Sequence, residues 1–125
     1  MSRKPFIAAN WKMHKTVAEA EAYIQALLPR VGAVGDVEVV ICPPFTALQA
    51  MVDSARGSSV QVFAQNLHEA EAGAFTGEVS APMLSEIDVH GVILGHSERR
   101  EYYCETDRAL QQASDLLNEA GEPPN

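Results

Sequence analysis

Gly91-Val-Ile-Leu-Gly-His-Ser-Glu-Arg-Arg100 sets an uncharged run, Gly91 to Leu94, directly against a polar loop, Gly95 to Arg100. A run this short and this continuously apolar reads as a buried strand, and the abrupt polarity after it marks the strand's carboxyl end. The same kind of run occurs earlier in the chain. Ile7 to Ala9 follows Pro5-Phe6, Val37 to Cys42 stops at Pro43-Pro44, and Val60 to Ala64 precedes Gln65-Asn66. None alternates cleanly, which favours buried parallel strands over the half-wet strands of a meander.

Helical patterns fill the intervals. Thr16-Val-Ala-Glu19 has the spacing of a capping box, and Val17, Ala20, Ile24, Leu27 and Leu28 follow on one face until Pro29 discourages continuation. Thr46 to Ala55 reads as a second helix with Leu48, Val52 and Ala55 inward. Ser80 to Ile87 is a short third, with Pro82 tolerable in its first turn. From Thr106 to Ala120, the residues Ala109, Leu110, Ala113, Leu116, Leu117 and Ala120 make a stripe that Gly121, Pro123 and Pro124 bring to an end. Strand and helix thus alternate four times, which requires crossover connections and a parallel sheet with helices outside. Periodicity alone fits four units of a doubly wound sheet as well as half of a closed barrel. The 125 residues suffice for one compact domain and are half of the roughly 250 in a complete (β/α)8 barrel.

Charge narrows the function classes. The formal net charge is -8, from nine Lys and Arg against seventeen Asp and Glu, and the adjacent basic pairs are Arg3-Lys4 and Arg99-Arg100. That is no basic face for nucleic acid, whereas a small phosphate needs only a local field from one lysine and a few amides. No apolar run approaches the roughly 20 residues of a membrane span, and the first residues lack a signal-peptide pattern. Cys42 and Cys104 are spaced for neither a disulfide framework nor a zinc site, so a reducing cytoplasm fits best.

Three polar clusters follow strand ends, where ligands of parallel sheets collect. They are Asn10-Trp11-Lys12-Met13-His14, then Gln65-Asn66-Leu67-His68 leading into Gly73-Ala74-Phe75-Thr76-Gly77-Glu78, then Gly95 to Arg100. Asn10 and Lys12 share a face of an extended chain and can reach one ligand, with Lys12 a point charge for a phosphate or oxyanion. The plainer alternative is a snorkelling lysine and a turn asparagine. His96 at the sheet rim reads as an acid, a base, a neutral electrophile or a satisfied structural histidine. Ser97 is placed to cap the turn that follows, and Glu98 beside two arginines reads as part of an ion-pair network. Gly73 and Gly77 permit a tight protruding loop that exposes Phe75, an interface candidate. His14, His68, His90 and His96 form no compact metal-ligand cluster. The glycine stretches match neither nucleotide-binding pattern, and the spacing of a hydrolase nucleophile elbow is absent.

Taken together, these segments resemble the triosephosphate isomerase family. Its first active-site loop reads Asn-x-Lys, as at Asn10-Trp11-Lys12-Met13. Its interface loop is matched by Ala64-Gln65-Asn66 and Gly73 to Glu78, its fourth-strand loop by Gly95 to Arg100, and the start of its fourth helix by Glu105-Thr106-Asp107. The resemblance implies an α/β fold of the (β/α)8 TIM-barrel type, with residues 1–125 as four N-terminal βα units, a half-barrel forming one partial domain.

It also implies interconversion of dihydroxyacetone phosphate and D-glyceraldehyde 3-phosphate through an enediolate, a step of glycolysis and gluconeogenesis, without a cofactor. By the resemblance, Lys12 offsets charge on phosphate and enediolate oxygens and Asn10 adds polar contact. His96 is the neutral electrophile that polarises the carbonyl, this family being the usual example of a histidine kept neutral by a helix N-terminus. Glu98 orders Lys12, and Thr76 projects toward Asn10 and Lys12 of the partner subunit. Two departures are expected to matter. His14 stands where the family usually has asparagine, beside the subunit contact. The family's catalytic glutamate, lid and later phosphate loops belong to a C-terminal half, and no glutamate here takes that role by motif. The chain alone is therefore expected to be inactive and to self-associate, since its sheet face would leave Ile7 and Ile41 in water; a complementary C-terminal half is a possible partner.

Overall fold

A computed structural model describes residues 5–31 and 35–121. Arg3, Lys4, Pro123, Pro124 and the side chain of Ala120 lie outside the described residues. The strands are β1 (Phe6–Asn10), β2 (Glu38–Cys42), β3 (Gln61–Ala64) and β4 (Gly91–Val92). The helices are α1 (Val17–Val31), α2 (Phe45–Ala55), α3 (Ala81–Glu86), α4 (Ser97–Tyr102) and α5 (Asp107–Gly121). The four strands form one parallel sheet in the order β1-β2-β3-β4, the sequential half-barrel arrangement expected from the alternation of strands and helices.

The chain divides into two compact units, Met1–Gln65 with Val89–Gly91, and Asn66–Asp88 with Val92–Asn125. In the first, β1 pairs with β2 from Phe6↔Glu38 to Asn10↔Cys42, and β2 with β3 at Val40↔Gln61 and Ile41↔Val62. Ile41, Val62 and Ala64 are buried on one face of this ladder, where α2 packs on β3 through its apolar stripe of Leu48, Met51, Val52 and Ala55. On the other face Gln61 and Phe63 are only half-buried, and the Phe6 ring lies 6.3 Å from that of Phe63. Two expectations are corrected here. Ile41 is buried, because the helix layer covers its face, whereas β1 is not a buried strand: Phe6 is 53 % and Ile7 58 % exposed at the sheet margin. Among the described residues β1 has one strand neighbour, so apolar composition does not bring burial.

The capping box forms as read. Thr16 N–H and hydroxyl donate to Glu19 Oε1, the Glu19 N–H returns to Thr16 Oγ1, and Ala20 and Ile24 are buried along α1. Pro29 does not stop this helix, which runs to Val31. In the last turn the missing N–H removes a single bond, a loss that a helix already packed on α2 tolerates. In the second unit α3 packs against α5, with Leu84 and Ala113 buried.

Candidate active site

The first loop is built from three hydrogen bonds and two aromatic rings. Asn10 Oδ1 accepts the Lys12 N–H at 2.9 Å, and the Gln65 amide nitrogen donates to the carbonyls of Lys12 at 2.9 Å and Cys42 at 2.8 Å. Asn10 and Gln65 are on the open face of the ladder by register, so both reach the turn that carries Lys12. The turn is strained. Lys12 has φ 55 and Lys15 φ 77, left-handed values that cost a side-chain-bearing residue about 1–2 kcal/mol. Lys15 is held by its charge, with Nζ 5.4 Å from the centroid of the Trp11 ring and 5.2 Å from that of Tyr23. Those rings meet edge to face at 5.1 Å. Lys12 itself is exposed at the carboxyl end of β1, and Met13 and His14 beside it are exposed too.

The fourth-strand loop turns at Gly95, whose φ of 67 favours glycine. A Cβ there would lie 2.6 Å from Leu110 Cδ1 and 3.0 Å from an Arg100 nitrogen, so glycine also makes room for α5. His96 then caps α4: its Nδ1 accepts the Glu98 N–H at 3.1 Å. Nδ1 is thus an acceptor, which leaves the proton of the neutral ring on Nε2. Glu98 Oε2 lies 3.6 Å from the same Nδ1. The expected capping by Ser97 is corrected: Ser97 is the first helical residue and exposed, and the histidine one position earlier does the capping. The arginines pair elsewhere than expected. Arg99 joins Glu105 at 2.9 Å and stacks on Tyr103, while Arg100 joins Asp107 at 2.6 Å and the Gly95 carbonyl at 3.0 Å.

The loop from Asn66 to Ser80 protrudes as its glycines suggest, with φ 134 at Gly73 and 91 at Gly77. Phe75 is 47 % exposed, yet its ring lies 4.1 Å from His68, whose Nδ1 accepts the Ala70 N–H. Thr76 is exposed beside it. A groove of about 490 Å³ separates this loop from α4 and α5, with Phe75, His68, Arg99, Glu105 and Leu110 among its walls. Among the described residues no group of His, Cys, Asp and Glu is arranged to hold a metal.

Within the first unit the structure gathers Asn10, Lys12 and Gln65 at one strand end, with His14 exposed two residues beyond Lys12. Within the second it gathers His96, Ser97 and Glu98 at one turn, and His68, Phe75 and Thr76 on one loop. The clamp by Gln65 and the strut of Lys15 on Trp11 and Tyr23 went unread in the sequence. Gln65 stands in a quoted motif, but its role depends on where β1 and β2 end beside it. The first cluster can offer an ammonium and an amide to one anion, and the second an Nε2–H donor.

The family profile of triosephosphate isomerase matches residues 5–124. Triosephosphate isomerase of Solibacter usitatus is 51 % identical over 122 residues, covering 98 % of this chain and 49 % of that protein. That of Acetivibrio thermocellus is 54 % identical over 112 residues, covering 90 % and 44 %. In the crystal structure of triosephosphate isomerase from Bartonella henselae the matched part superposes with a TM-score of 0.80 at 38 % identity, covering 95 % of this chain and 49 % of that one. The chain spans about half the length of the relatives it matches. By profile, sequence and fold, it belongs to the triosephosphate isomerase family.

Proposed function

We propose that residues 1–125 by themselves are a self-associating half-barrel without isomerase turnover, and that in a completed barrel they furnish the electrostatic part of a triose-phosphate isomerase site. The exposure of Phe6 and Ile7 on the marginal strand β1 carries the first part of this reading. Apolar area left in water costs roughly 25 cal/mol per Å2, and an edge strand offers unpaired backbone groups beside it, so association relieves both.

In the completed site the substrate is dihydroxyacetone phosphate or D-glyceraldehyde 3-phosphate, and the reaction moves a proton between adjacent carbons through an enediolate. Lys12 offsets negative charge on the phosphate and enediolate oxygens, and Asn10 adds a polar contact. His96, neutral with its proton on Nε2, polarises the carbonyl and shuttles hydroxyl protons. Glu98 orders Lys12, and Thr76 extends toward Asn10 and Lys12 of the partner subunit. Each of these groups acts on oxygen. Abstracting the carbon-bound proton requires a base held within about 3 Å of it, a role given to none of them. No cofactor enters the reaction, and the cytoplasm suits two cysteines kept as thiols.

A coupled isomerase assay on the pure 125-residue chain, together with sedimentation at tens of micromolar, tests both parts. The expected result is no turnover above background and a mass above that of a monomer, with activity appearing when a complementary C-terminal half is added. Turnover by the chain alone that vanishes in Lys12→Ala and in His96→Ala would overturn the non-catalytic reading.

A further inference from the structure

We propose that Lys15 is a positioning residue for the anion site: its ammonium, seated on Trp11 and Tyr23, holds the turn in which Lys12 stands. The inference rests on the reading above, in which Lys12 meets phosphate and enediolate oxygens, and adds to it a residue that touches no substrate.

The turn carries strain at both ends and is braced at both. Lys12 has φ 55 and Lys15 φ 77, left-handed values that persist only where the surroundings enforce them. The near end is fixed from the strands. Trp11 N–H donates to the Cys42 carbonyl at 3.1 Å, Lys12 N–H to Asn10 Oδ1 at 2.9 Å, and the Gln65 amide to the Lys12 carbonyl at 2.9 Å. Met13, 92 % exposed, and His14 then carry the chain outward. At Lys15 the chain is caught again. Its Nζ reaches back to 5.4 Å from the centroid of the Trp11 ring and lies 5.2 Å from that of Tyr23 on α1. Both distances fall within the roughly 6 Å over which a ring face attracts a cation. The seat is itself fixed, since Trp11 is buried and meets Tyr23 edge to face.

Charge, not length, is the operative property of this side chain. The Thr16 N–H and hydroxyl hold the Glu19 carboxyl below the usual carboxylate range, and the nearby Lys15 charge lowers it further. The ammonium therefore faces a carboxylate of α1 as well as two rings. A snorkelling lysine would need only its stem against the rings. All of these groups lie between Asn10 and Gln65, inside the first compact unit.

Two substitutions separate stem from charge. Lys15→Met keeps an unbranched apolar stem and removes the charge, whereas Lys15→Arg keeps the charge over the rings. The backbone nitrogen order parameter of Lys12 is expected to stay at about 0.85 in the wild type and in Lys15→Arg, and to fall below about 0.6 in Lys15→Met. Tyr23→Leu, which removes one ring and leaves the lysine, is expected to loosen Lys12 as well, and adding Lys15→Met to it to loosen Lys12 by less than the two changes summed. In the barrel completed by a C-terminal half, Lys15→Met is expected to lower kcat/KM about fivefold or more and Lys15→Arg to restore it. An ordered Lys12 in Lys15→Met, a loosened one in Lys15→Arg, or an unchanged kcat/KM beside a loosened Lys12 overturns the proposal. A completed wild-type barrel without turnover overturns the isomerase reading instead, and the order parameters then decide the role of Lys15.

Discussion

The side-chain amide nitrogen of Gln65 lies 2.9 Å from the carbonyl oxygen of Lys12, tying the end of β3 to the turn beyond β1. Its second hydrogen goes to the Cys42 carbonyl at 2.8 Å, so one amide group spans three strand ends. Removing it takes the Gln65 donor from the Lys12 carbonyl and leaves the Cys42 carbonyl with the Trp11 N–H, so the left-handed turn at Lys12 loses one of its braces and keeps the bond to Asn10 Oδ1. Gln65→Leu is expected to cost about 1–3 kcal/mol, read as a lower denaturant midpoint. Loss of stability below about 0.5 kcal/mol would mean that water replaces the clamp without cost.

The bond from Glu98 N–H to His96 Nδ1 fixes a tautomer. Long-range nitrogen correlation spectra of the neutral ring are expected to show Nδ1 unprotonated and the proton on Nε2. His96→Asn, which can still cap, is expected to keep α4, whereas His96→Leu frays it. Amide exchange at Arg99 and Arg100 distinguishes the two variants, because their N–H groups donate to the His96 carbonyl in the first turn.

Gly95→Ala combines two penalties. The left-handed φ of 67 costs about 1–2 kcal/mol for alanine, and the new Cβ, 2.6 Å from Leu110 Cδ1, forces that side chain or α5 to shift. A thermal midpoint below that of the wild type is expected. Leu110→Ala in the Gly95→Ala background is expected to lose less than the sum of the two single changes, because it removes the obstructing atom.

Burial pushes the Cys42 thiol up to about 11. Unfolding returns it to about 9, so above pH 9 the unfolded chain sheds this proton first. Stability from this residue is therefore whole below pH 9 and is lost between about 9 and 11, on the order of 2–3 kcal/mol in all. Cys42→Ala is expected to flatten the alkaline limb of the stability curve. Under native conditions a thiol reagent is expected to modify exposed Cys104 and spare Cys42 until the chain unfolds.

What the sequence made legible was chiefly what one segment decides for itself. The capping box at Thr16 and Glu19, the glycine turns at Gly73 and Gly77, and the alternation that forces a parallel sheet all depend on neighbours along the chain. What it concealed depends on neighbours in space. Helix α4 is polar all round and buries nothing, so no periodicity announces it; the His96 cap and the Arg99–Glu105 and Arg100–Asp107 pairs surround it instead. Pro29 reads as a stop because its ring hinders continuation, and its tolerance follows from the packing of α1 on α2. The left-handed backbone at Lys12 and Lys15 bears no sequence mark, since lysine is no turn former, and the partners that hold it lie as far away as Tyr23 and Gln65.

Trp11 is the sole tryptophan, 7 % exposed, with the Lys15 ammonium and the Tyr23 ring against it. Its fluorescence therefore reports on a single place, the turn that carries Lys12, without any added label. Unseating Lys15 moves a positive charge off the indole and wets it, so both emission wavelength and yield follow the order of that turn. In titrations with inorganic phosphate or during refolding, the colour of the protein's own light gives the state of this loop separately from the helical signal of the remainder.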